Sequence, residues 1–428
     1  MAFLIGAKTA VMKEKERQIE LLAPAGSFDC LQAAINAGAD AIYFGVEQLN
    51  MRTRSANSFS INNIEEISVR CRLSGLKAYI TLNTVIYEHD IQLLRAILTA
   101  VKKFKIDAVI AADFAVIQLC NQMNIPLHVS TQANISNIES VQFFSRFADV
   151  VVLARELTLQ QVAFIRKEIE RQQIKGISGE LLRIELFVHG ALCVAVSAKC
   201  YMSLHTQNAS ANRGACVQNC RRPYIVRDAE TNEELLVDNE YIMSPKDLCT
   251  IDILDQLVNS GVDVLKIEGR SKGADYVYTV TKCYREALQA IETNTYSPEK
   301  IEGWLTQLKT VYNRGFWEGY YLGRKLGEWT LQPGSIASEK KIYVGKGSKY
   351  YPNIRVGEFI IESGSIKTGD TLMISGAAIG MTKEKMNTLT VNGIEGTMAA
   401  KGDRVTFPVS AKITAGDKLY KIIANADA

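Results

Sequence analysis

Several features are scarce in this sequence of 428 residues, and each absence excludes a class of protein. No apolar run reaches the roughly 20 residues that a membrane helix needs, and the short apolar stretch at residues 3–7 is not preceded by a basic segment. We therefore expect no membrane span and no signal peptide, and a soluble protein of the cytoplasm. Histidine is rare, with four residues in the chain, and no HExxH motif occurs. A zinc metalloprotease of that type is thus unsupported.

An excess of charge of either sign is also missing, since 49 Lys and Arg face 46 Asp and Glu and the formal net charge is +3. A net charge this small does not by itself predict a polyanionic partner. Any nucleic-acid contact would have to come from a local cluster of basic residues. Apolar residues make up 47% of the chain. Because single cores usually stop growing at roughly 250–300 residues, we expect two domains.

Short aliphatic or β-branched runs alternate with longer segments of helical period from residue 20 to about residue 270, the pattern of parallel β/α units. An open doubly wound sheet would carry a GxGxxG turn after its first strand, and residues 23–27 lack it. We therefore predict an α/β fold with a closed (β/α)8 TIM-like barrel. Its eight strands are Glu20–Ala23, Ala41–Gly45, Lys77–Asn83, Ala108–Asp113, Leu127–Gln132, Val150–Glu156, Ile184–His189 and Val264–Glu268.

The barrel is predicted to occupy residues 1–333, with a cysteine-containing insertion at about 190–245 after the seventh strand. From Lys341 the pattern changes to short alternating strands separated by Gly-rich turns, which indicates a small antiparallel β-barrel over residues 334–428. This second domain resembles the β-barrel of translation factors and is interpreted as a docking or RNA-facing module.

Four of the nine cysteines cluster in the insertion, at Cys193, Cys200, Cys216 and Cys220. The odd total and the uneven placement argue against a disulfide framework. Four thiolates suit either an iron-sulfur cluster or a tetrahedral zinc, and the wide first spacing favours iron-sulfur. Cys249 is a reserve ligand that equally suits a buried position at the start of a helix. The remaining thiols lie in apolar, helix-like surroundings and are interpreted as inert: Cys30, Cys71, Cys120 and Cys283.

Polar side chains follow most of the predicted strands, at the end where the active site of such a barrel lies. Arginine and lysine dominate this set, which suggests a site for a carboxylate or phosphate, with an internal salt-bridge network involving Glu156 and Glu268 as the alternative. Gln132 could present its amide to a substrate or cap the next helix. The cationic members are Arg52, Arg54, Arg155, Lys266 and Arg270.

His189 ends the seventh predicted strand and directly precedes the cysteines, so it could position substrate, move a proton or satisfy a core hydrogen bond. The other three histidines, His89, His128 and His205, are interpreted as structural or solvent-facing.

Five segments together resemble the collagenase-like peptidases of the U-32 type, and they span the predicted barrel. The segment that contains the first two clustered cysteines and the Cys-x-x-x-Cys pair after it are similar to the tRNA hydroxylation branch of that family. The five segments are 20–26 (ELLAPAG), 38–43 (GADAIY), 130–134 (STQAN), 185–200 and 265–270 (LKIEGR).

The resemblance implies an oxygen-independent hydroxylation of the wobble uridine of tRNA to 5-hydroxyuridine. It implies a 4Fe-4S cluster on the four clustered cysteines and prephenate, a dicarboxylate, as co-substrate. His189, Glu268 and Lys266 would then be catalytic, handling protons and orientation, and tRNA the partner, with other RNA-modification proteins as candidate further partners. Because related branches differ in their later ligands, either Cys220 or Cys249 could complete the set.

Two alternatives stay open. One is a peptidase, metal-assisted or with Cys193 as nucleophile and His189 as base, although no local Cys-His protease signature supports it. The other is a non-enzymatic RNA-binding scaffold with a structural zinc.

Overall fold

A computed structural model describes residues 18–52, 59–225, 227–232, 243–323 and 328–426. Within these ranges, no helix combines the length and the apolar character needed to cross a bilayer.

A closed parallel barrel forms the first part of the chain. Each strand pairs in parallel with the next, and the last strand, β9, pairs with both β7 and β1 and so closes the ring. The eight predicted strands are all confirmed, and most end a few residues earlier than predicted, so most of the polar residues lie in the loops beyond them; His189 and Lys266 lie within strands. The barrel strands are β1 Glu20–Pro24, β2 Ala41–Phe44, β3 Lys77–Thr81, β4 Ala108–Ala111, β5 Leu127–Val129, β6 Val150–Val152, β7 Arg183–Gly190 and β9 Val264–Ile267.

Most helices cover the outside of the barrel because they carry an apolar stripe at helical spacing, whereas α7 belongs to the loop after β7 and buries only Ser203. In α3, for example, Leu94, Ile97, Leu98 and Val101 are all buried against the strands. Capping residues set where several helices begin; the Asp113 side chain accepts from the Ala115 amide at the start of α4. The helices are α1 Phe28–Asn36, α2 Ile64–Leu73, α3 Ile91–Lys103, α4 Phe114–Gln122, α5 Ile138–Ser145, α6 Leu159–Gln172, α7 Met202–Gln207, α8 Leu254–Asn259, α9 Ala274–Glu292 and α10 Pro298–Thr310.

A short additional strand, β8 Asp247–Cys249, corrects the prediction that Cys249 begins a helix. β7 is longer than both of its barrel neighbours, and its upper end would otherwise leave backbone groups without partners. β8 pairs there in antiparallel fashion, with His189 opposite Cys249 and Gly190 opposite Leu248. A further strand, β10 Phe316–Trp317, runs parallel to β8 and widens the wall above the barrel.

The C-terminal region is antiparallel, as predicted, and has its own core, in which the rings of Phe359 and Phe407 stack 4.8 Å apart. Its β14–β15 hairpin packs on α1, where Ser375 donates to Asp29 at 3.0 Å and Asn36 donates to the Ile379 carbonyl at 2.8 Å. The strands are β11 Glu339–Tyr351, β12 Val356–Ile361, β13 Ser365–Lys367, β14 Thr371–Gly376, β15 Gly380–Lys385, β16 Leu389–Val391, β17 Ile394–Gly396, β18 Met398–Ala400, β19 Arg404–Pro408 and β20 Lys418–Ala424.

Candidate functional site

A cavity of about 210 Å³ opens at the carboxyl ends of the barrel strands. It brings together the four clustered cysteines and six of the other predicted site residues, although these are spread over more than two hundred positions of the sequence. Six of its lining residues are Arg or Lys and two are Glu, so the cavity is cationic. The predicted residues that line it are Cys193, Cys200, Cys216, Cys220, Arg52, Gln132, Arg155, Lys266, Glu268 and Arg270.

Thiols form one wall of this cavity. Burial raises the pKa of the Cys220 thiol, Arg221 opposes that effect, and the other three clustered thiols add to it. The four thiols line the same cavity, and the cationic Arg221 also lines it, where it can offset thiolate charge. Cys249 is buried, does not line the cavity, and has its pKa raised to about 12 by burial. Cys220, and not Cys249, lies on the same wall as the other three thiols.

Arg221 fixes both ends of the cysteine segment, residues 190–246. Its guanidinium donates to the carbonyl of Leu192 at 2.6 Å and to that of Pro245 at 2.6 Å. In the middle of the segment, Arg213 donates to the Val85 carbonyl at 2.8 Å and pairs with Asp90. The segment is thus fastened to the barrel at several points.

Among the residues that the structure describes, no three His, Cys, Asp or Glu side chains converge closely enough to hold one metal ion. A tetrahedral zinc needs its ligands at about 2.3 Å from a single centre, whereas a 4Fe-4S cluster spreads four thiolates over several iron atoms.

Glu268 lies among the charged side chains at the bottom of the cavity, here called the floor, which also include Arg52, Arg155, Lys266 and Arg270. Its carboxylate accepts from Arg52 at 2.7 Å and from the Tyr43 hydroxyl at 3.1 Å. Burial would raise the pKa of Glu268, but Arg52, Arg270 and Arg155 outweigh it and lower the pKa to about 2. Glu268 is therefore an ionised anchor for the arginines and a poor proton acceptor at neutral pH.

Lys266 lines the cavity next to this anchor and is held by a second buried carboxylate. Its ammonium donates to Glu185 at 2.6 Å, and His128 lies 3.3 Å from the other oxygen of the same group. Burial would raise the pKa of Glu185, but Lys266 and His128 lower it to about 2. The ion pair fixes a positive charge in the cavity wall.

Two arginines keep part of their donor capacity unused. Arg270 donates to Thr81 at 2.5 Å, and Arg155 donates to the Ala191 carbonyl at 3.1 Å while its guanidinium lies 3.7 Å from the centre of the Phe187 ring. Within the described part of the chain, the Nε–H group of each is buried and finds no acceptor. Buried, unsatisfied guanidinium donors in a cationic cavity favour an anionic ligand.

Gln132 is engaged with the protein itself. Its amide donates to the Asn83 carbonyl at 2.7 Å and accepts from the Asn83 side chain at 2.7 Å. This mutual pairing orients both amides along the cavity wall, so Gln132 lines the site as a fixed polar group.

His189 does not reach the cavity. Its ring is buried among Tyr276, Tyr284 and Phe316, and the Tyr284 hydroxyl lies 3.4 Å from Nδ1. Burial lowers the pKa of His189 to about 3, so it stays neutral. Arg54, which was predicted to bind substrate, lies outside the described residues.

Several lining residues were not predicted from the sequence. Tyr43 lies on the inward-facing side of β2, and the alternation of side chains along that strand could have identified it. Arg314, Trp317, Tyr320 and Trp329 come from the segment after α10, and nothing in their local pattern points to the barrel mouth.

Comparison with known proteins assigns the family. The sequence model of peptidase family U32 matches residues 26–331. The chain belongs to peptidase family U32. A U32 relative named as a collagenase of Porphyromonas gingivalis is 52% identical over 402 residues, which cover 94% of this chain and 97% of that protein.

Other relatives carry names from RNA modification. A tRNA hydroxylation protein of Bacillus subtilis is 32% identical over 327 residues, 74% of each chain. A 23S rRNA 5-hydroxycytidine synthase of Escherichia coli is 34% identical over 281 residues, 65% of this chain and 41% of that one. U32 relatives of this chain are thus named either for protein cleavage or for RNA hydroxylation, and both kinds of name denote enzymes.

Proposed function

We propose that this U32 protein is an iron-sulfur enzyme that hydroxylates RNA, with the wobble uridine of tRNA as substrate and 5-hydroxyuridine as product. The observation that carries the proposal is the shared cavity, in which four thiols face a cationic floor at the mouth of the barrel. The tRNA hydroxylation protein and the 5-hydroxycytidine synthase among its relatives support an RNA substrate.

Cys193, Cys200, Cys216 and Cys220 would hold the 4Fe-4S cluster. When bound, such a cluster supplies one-electron transfer. Arg221, which lies beside Cys220 and is fixed by two backbone carbonyls, would offset the negative charge of four thiolates. The segment that carries them is fastened to the barrel by the bonds of Arg213 to Val85 and Asp90.

Replacing the C5–H of uridine by C5–OH is a two-electron oxidation, so a co-substrate has to supply the oxygen and accept the electrons. We propose prephenate for this role: its ring C–OH would become C–H as the uridine C5–H becomes C5–OH, so that one oxygen atom passes to the base and two electrons pass to prephenate. The buried Nε–H groups of Arg155 and Arg270 can each donate to a carboxylate oxygen, and Lys266 adds a fixed positive charge. Glu268 keeps the arginines apart and in place by pairing with Arg52.

The cluster is tested by anaerobic purification of the full chain, with iron and acid-labile sulfide measured per chain. We expect a brown protein with broad absorption near roughly 400 nm, and loss of iron in Cys193→Ser and Cys220→Ser. Cys249→Ser is the matched control and should keep its iron, because that thiol is buried away from the cavity. Protein that carries only stoichiometric zinc after anaerobic reconstitution would contradict the proposal.

The reaction is tested by mass spectrometry of tRNA nucleosides from a deletion strain that carries either the wild-type or a variant gene. Wild-type protein should restore 5-hydroxyuridine derivatives, and Cys220→Ser should not. Arg155→Gln should weaken binding of prephenate by about tenfold, the loss of one charge-assisted hydrogen bond, with the iron content unchanged. Unaltered nucleosides in the deletion strain, without a redundant paralogue, would exclude tRNA uridine as the substrate.

Peptidase activity is the second candidate because the collagenase-named relative is 52% identical. The geometry does not favour the Cys193–His189 version of it, since His189 is buried, neutral and absent from the cavity wall. Gelatin cleavage that is lost in Cys193→Ala but kept in Cys216→Ala would favour the peptidase over the hydroxylase.

A further inference from the structure

The first part of the cysteine segment is unusually basic. Residues 190–225 contain Lys199, Arg213, Arg221 and Arg222 and no Asp or Glu, although acidic and basic residues nearly balance over the whole chain. Lys199 and Arg222 are exposed. This is a local cationic surface of the kind that binds phosphate groups.

Aromatic side chains lie exposed in the same neighbourhood. Tyr201 is 69% exposed, and Tyr87, in the loop after β3, is 51% exposed. Exposed aromatic rings beside a cationic surface offer faces on which nucleic-acid bases can stack.

Both tyrosines are connected to the cysteine segment that lines the cavity, Tyr201 as part of it and Tyr87 through a contact with it. Cys200 lines the cavity, whereas the adjacent Tyr201 does not and faces solvent. Tyr87 is joined to the same segment by Arg213, whose guanidinium lies 4.3 Å from the centre of the Tyr87 ring. The Val85 amide also donates to the Asn212 carbonyl at 3.1 Å.

The size of the cavity restricts how RNA can reach the thiols. A cavity of about 210 Å³ excludes a duplex, so RNA can reach it only through an unpaired nucleotide. A base that enters must leave its stack, and its neighbours then lose a stacking partner. Exposed rings on and beside the cysteine segment can replace that partner, as aromatic rings do in proteins that bind single-stranded nucleic acids.

We propose that Tyr201 and Tyr87 form a stacking platform for the bases that flank the nucleotide entering the cavity, and that Lys199 and Arg222 contact the adjacent phosphates. The substrate class that fits this surface is a single-stranded RNA loop and not a duplex. This inference rests on the proposed function, because it assigns the RNA-binding part of the same site.

The test is binding of a labelled RNA stem-loop, with uridine at the wobble position, to the anaerobically reconstituted full chain, measured by fluorescence anisotropy. We expect Tyr201→Ala to weaken binding by about tenfold, the loss of one stacked base, and Tyr201→Phe to stay within about twofold. Phe164→Ala is the matched control, since Phe164 is 59% exposed on α6, on the outer layer of helices. It should bind like the wild type.

Salt dependence tests the phosphate contacts. Lys199→Ala should reduce the slope of log K against log salt by about one, whereas Lys167→Ala, an exposed lysine on α6, should leave it unchanged. The same RNA sequence closed into a duplex should bind more weakly, and its affinity should not depend on Tyr201.

Three results would overturn the platform. The first is stem-loop binding that is unchanged in both Tyr201→Ala and Tyr87→Ala, and the second is equal sensitivity of stem-loop and duplex to these changes. The third is gelatin displacing the stem-loop in a Tyr201-dependent manner, which would assign this surface to a peptide. Tyr201-dependent loop binding without any hydroxylated nucleoside would refute the proposed reaction and leave the platform standing. Hydroxylation by the wild type, with stem-loop binding unchanged in both alanine variants, would refute the platform and leave the proposed reaction standing.

Discussion

The buried pair of Glu185 and Lys266 gives a quantitative prediction. The two charged groups are 2.6 Å apart, and their side chains are 0% and 5% exposed. The pKa of Glu185 falls from its usual 4.5 to about 2. A shift of that size corresponds to roughly 3 kcal/mol of stability. Because the folded-state pKa is the lower one, this contribution is present above pH 4.5 and is lost as the pH falls towards 2.

The perturbation is a double-mutant cycle of Glu185→Gln and Lys266→Met, followed by urea unfolding of cluster-free protein at pH 7. Each single change leaves the other charge buried without its main partner, so each should cost about 3–5 kcal/mol. The double variant removes both charges, so its loss of unfolding free energy should be about 2–3 kcal/mol smaller than the sum of the losses in the two single variants.

An exposed pair with the same separation serves as the control. Glu168 and Arg171, on the outer surface of α6, are also 2.6 Å apart, but the arginine is 68% exposed. The coupling measured in their cycle should be far smaller than that of Glu185 and Lys266, because solvent screens an exposed pair. Additive costs below about 1 kcal/mol at Glu185 and Lys266 would refute the view that Lys266 is a fixed cation of the cavity wall.

Two other residues give predictions of a different kind. Burial holds the pKa of His189 near 3, below its usual 6.5, so the unfolded chain takes up a proton that the folded chain does not. The free energy of unfolding should then fall by up to roughly 1.4 kcal/mol for each pH unit below 6.5. Unfolding of His189→Gln, measured at pH 6.5 and pH 5, should lack that part of the pH dependence. Equal slopes in the wild type and the variant would contradict the burial argument. A Cβ on Gly26 would lie 2.0 Å from the Arg270 carbonyl oxygen, whereas one on Gly303, in α10, meets nothing within 4 Å. Gly26→Ala should therefore destabilise the protein and weaken prephenate binding. Gly303→Ala should be neutral or stabilising by up to about 1 kcal/mol in thermal unfolding. Similar effects at both sites would exclude the close approach of Gly26 to the Arg270 carbonyl as the cause.

The barrel could be predicted from the sequence because its strands are buried on both faces and appear as continuous apolar runs. Each run is local, and eight of them in series define the ring. β8 was not predicted because a strand of three residues is too short to show a periodic pattern. It is extended because it pairs with the upper end of β7, more than fifty positions earlier in the sequence.

His189 shows where strand-end reasoning fails. Glu185 and Phe187 face the inside of the barrel, the first bonded to Lys266 and the second lining the cavity, so alternation along β7 would place His189 there too. The pairing of β7 with β9 shifts register between Phe187 and His189, and the histidine turns into the core instead. A bulge of this kind depends on the partner strand and leaves no mark in the local sequence.

The pairing of β7 with β8 also affects how the cysteine segment could evolve. Gly190 and Leu248 are neighbours across the two strands, so the chain leaves the barrel and returns to it at the same place. The described residues between these two positions add further contacts with the barrel loops, through Arg213 with Val85 and Asp90 and through Ser197 with Asn134. Exchanging residues 191–246 between relatives, together with the partner residues Val85, Asp90 and Asn134, should therefore replace the thiol-bearing wall of the cavity while the ring of strands below stays in place.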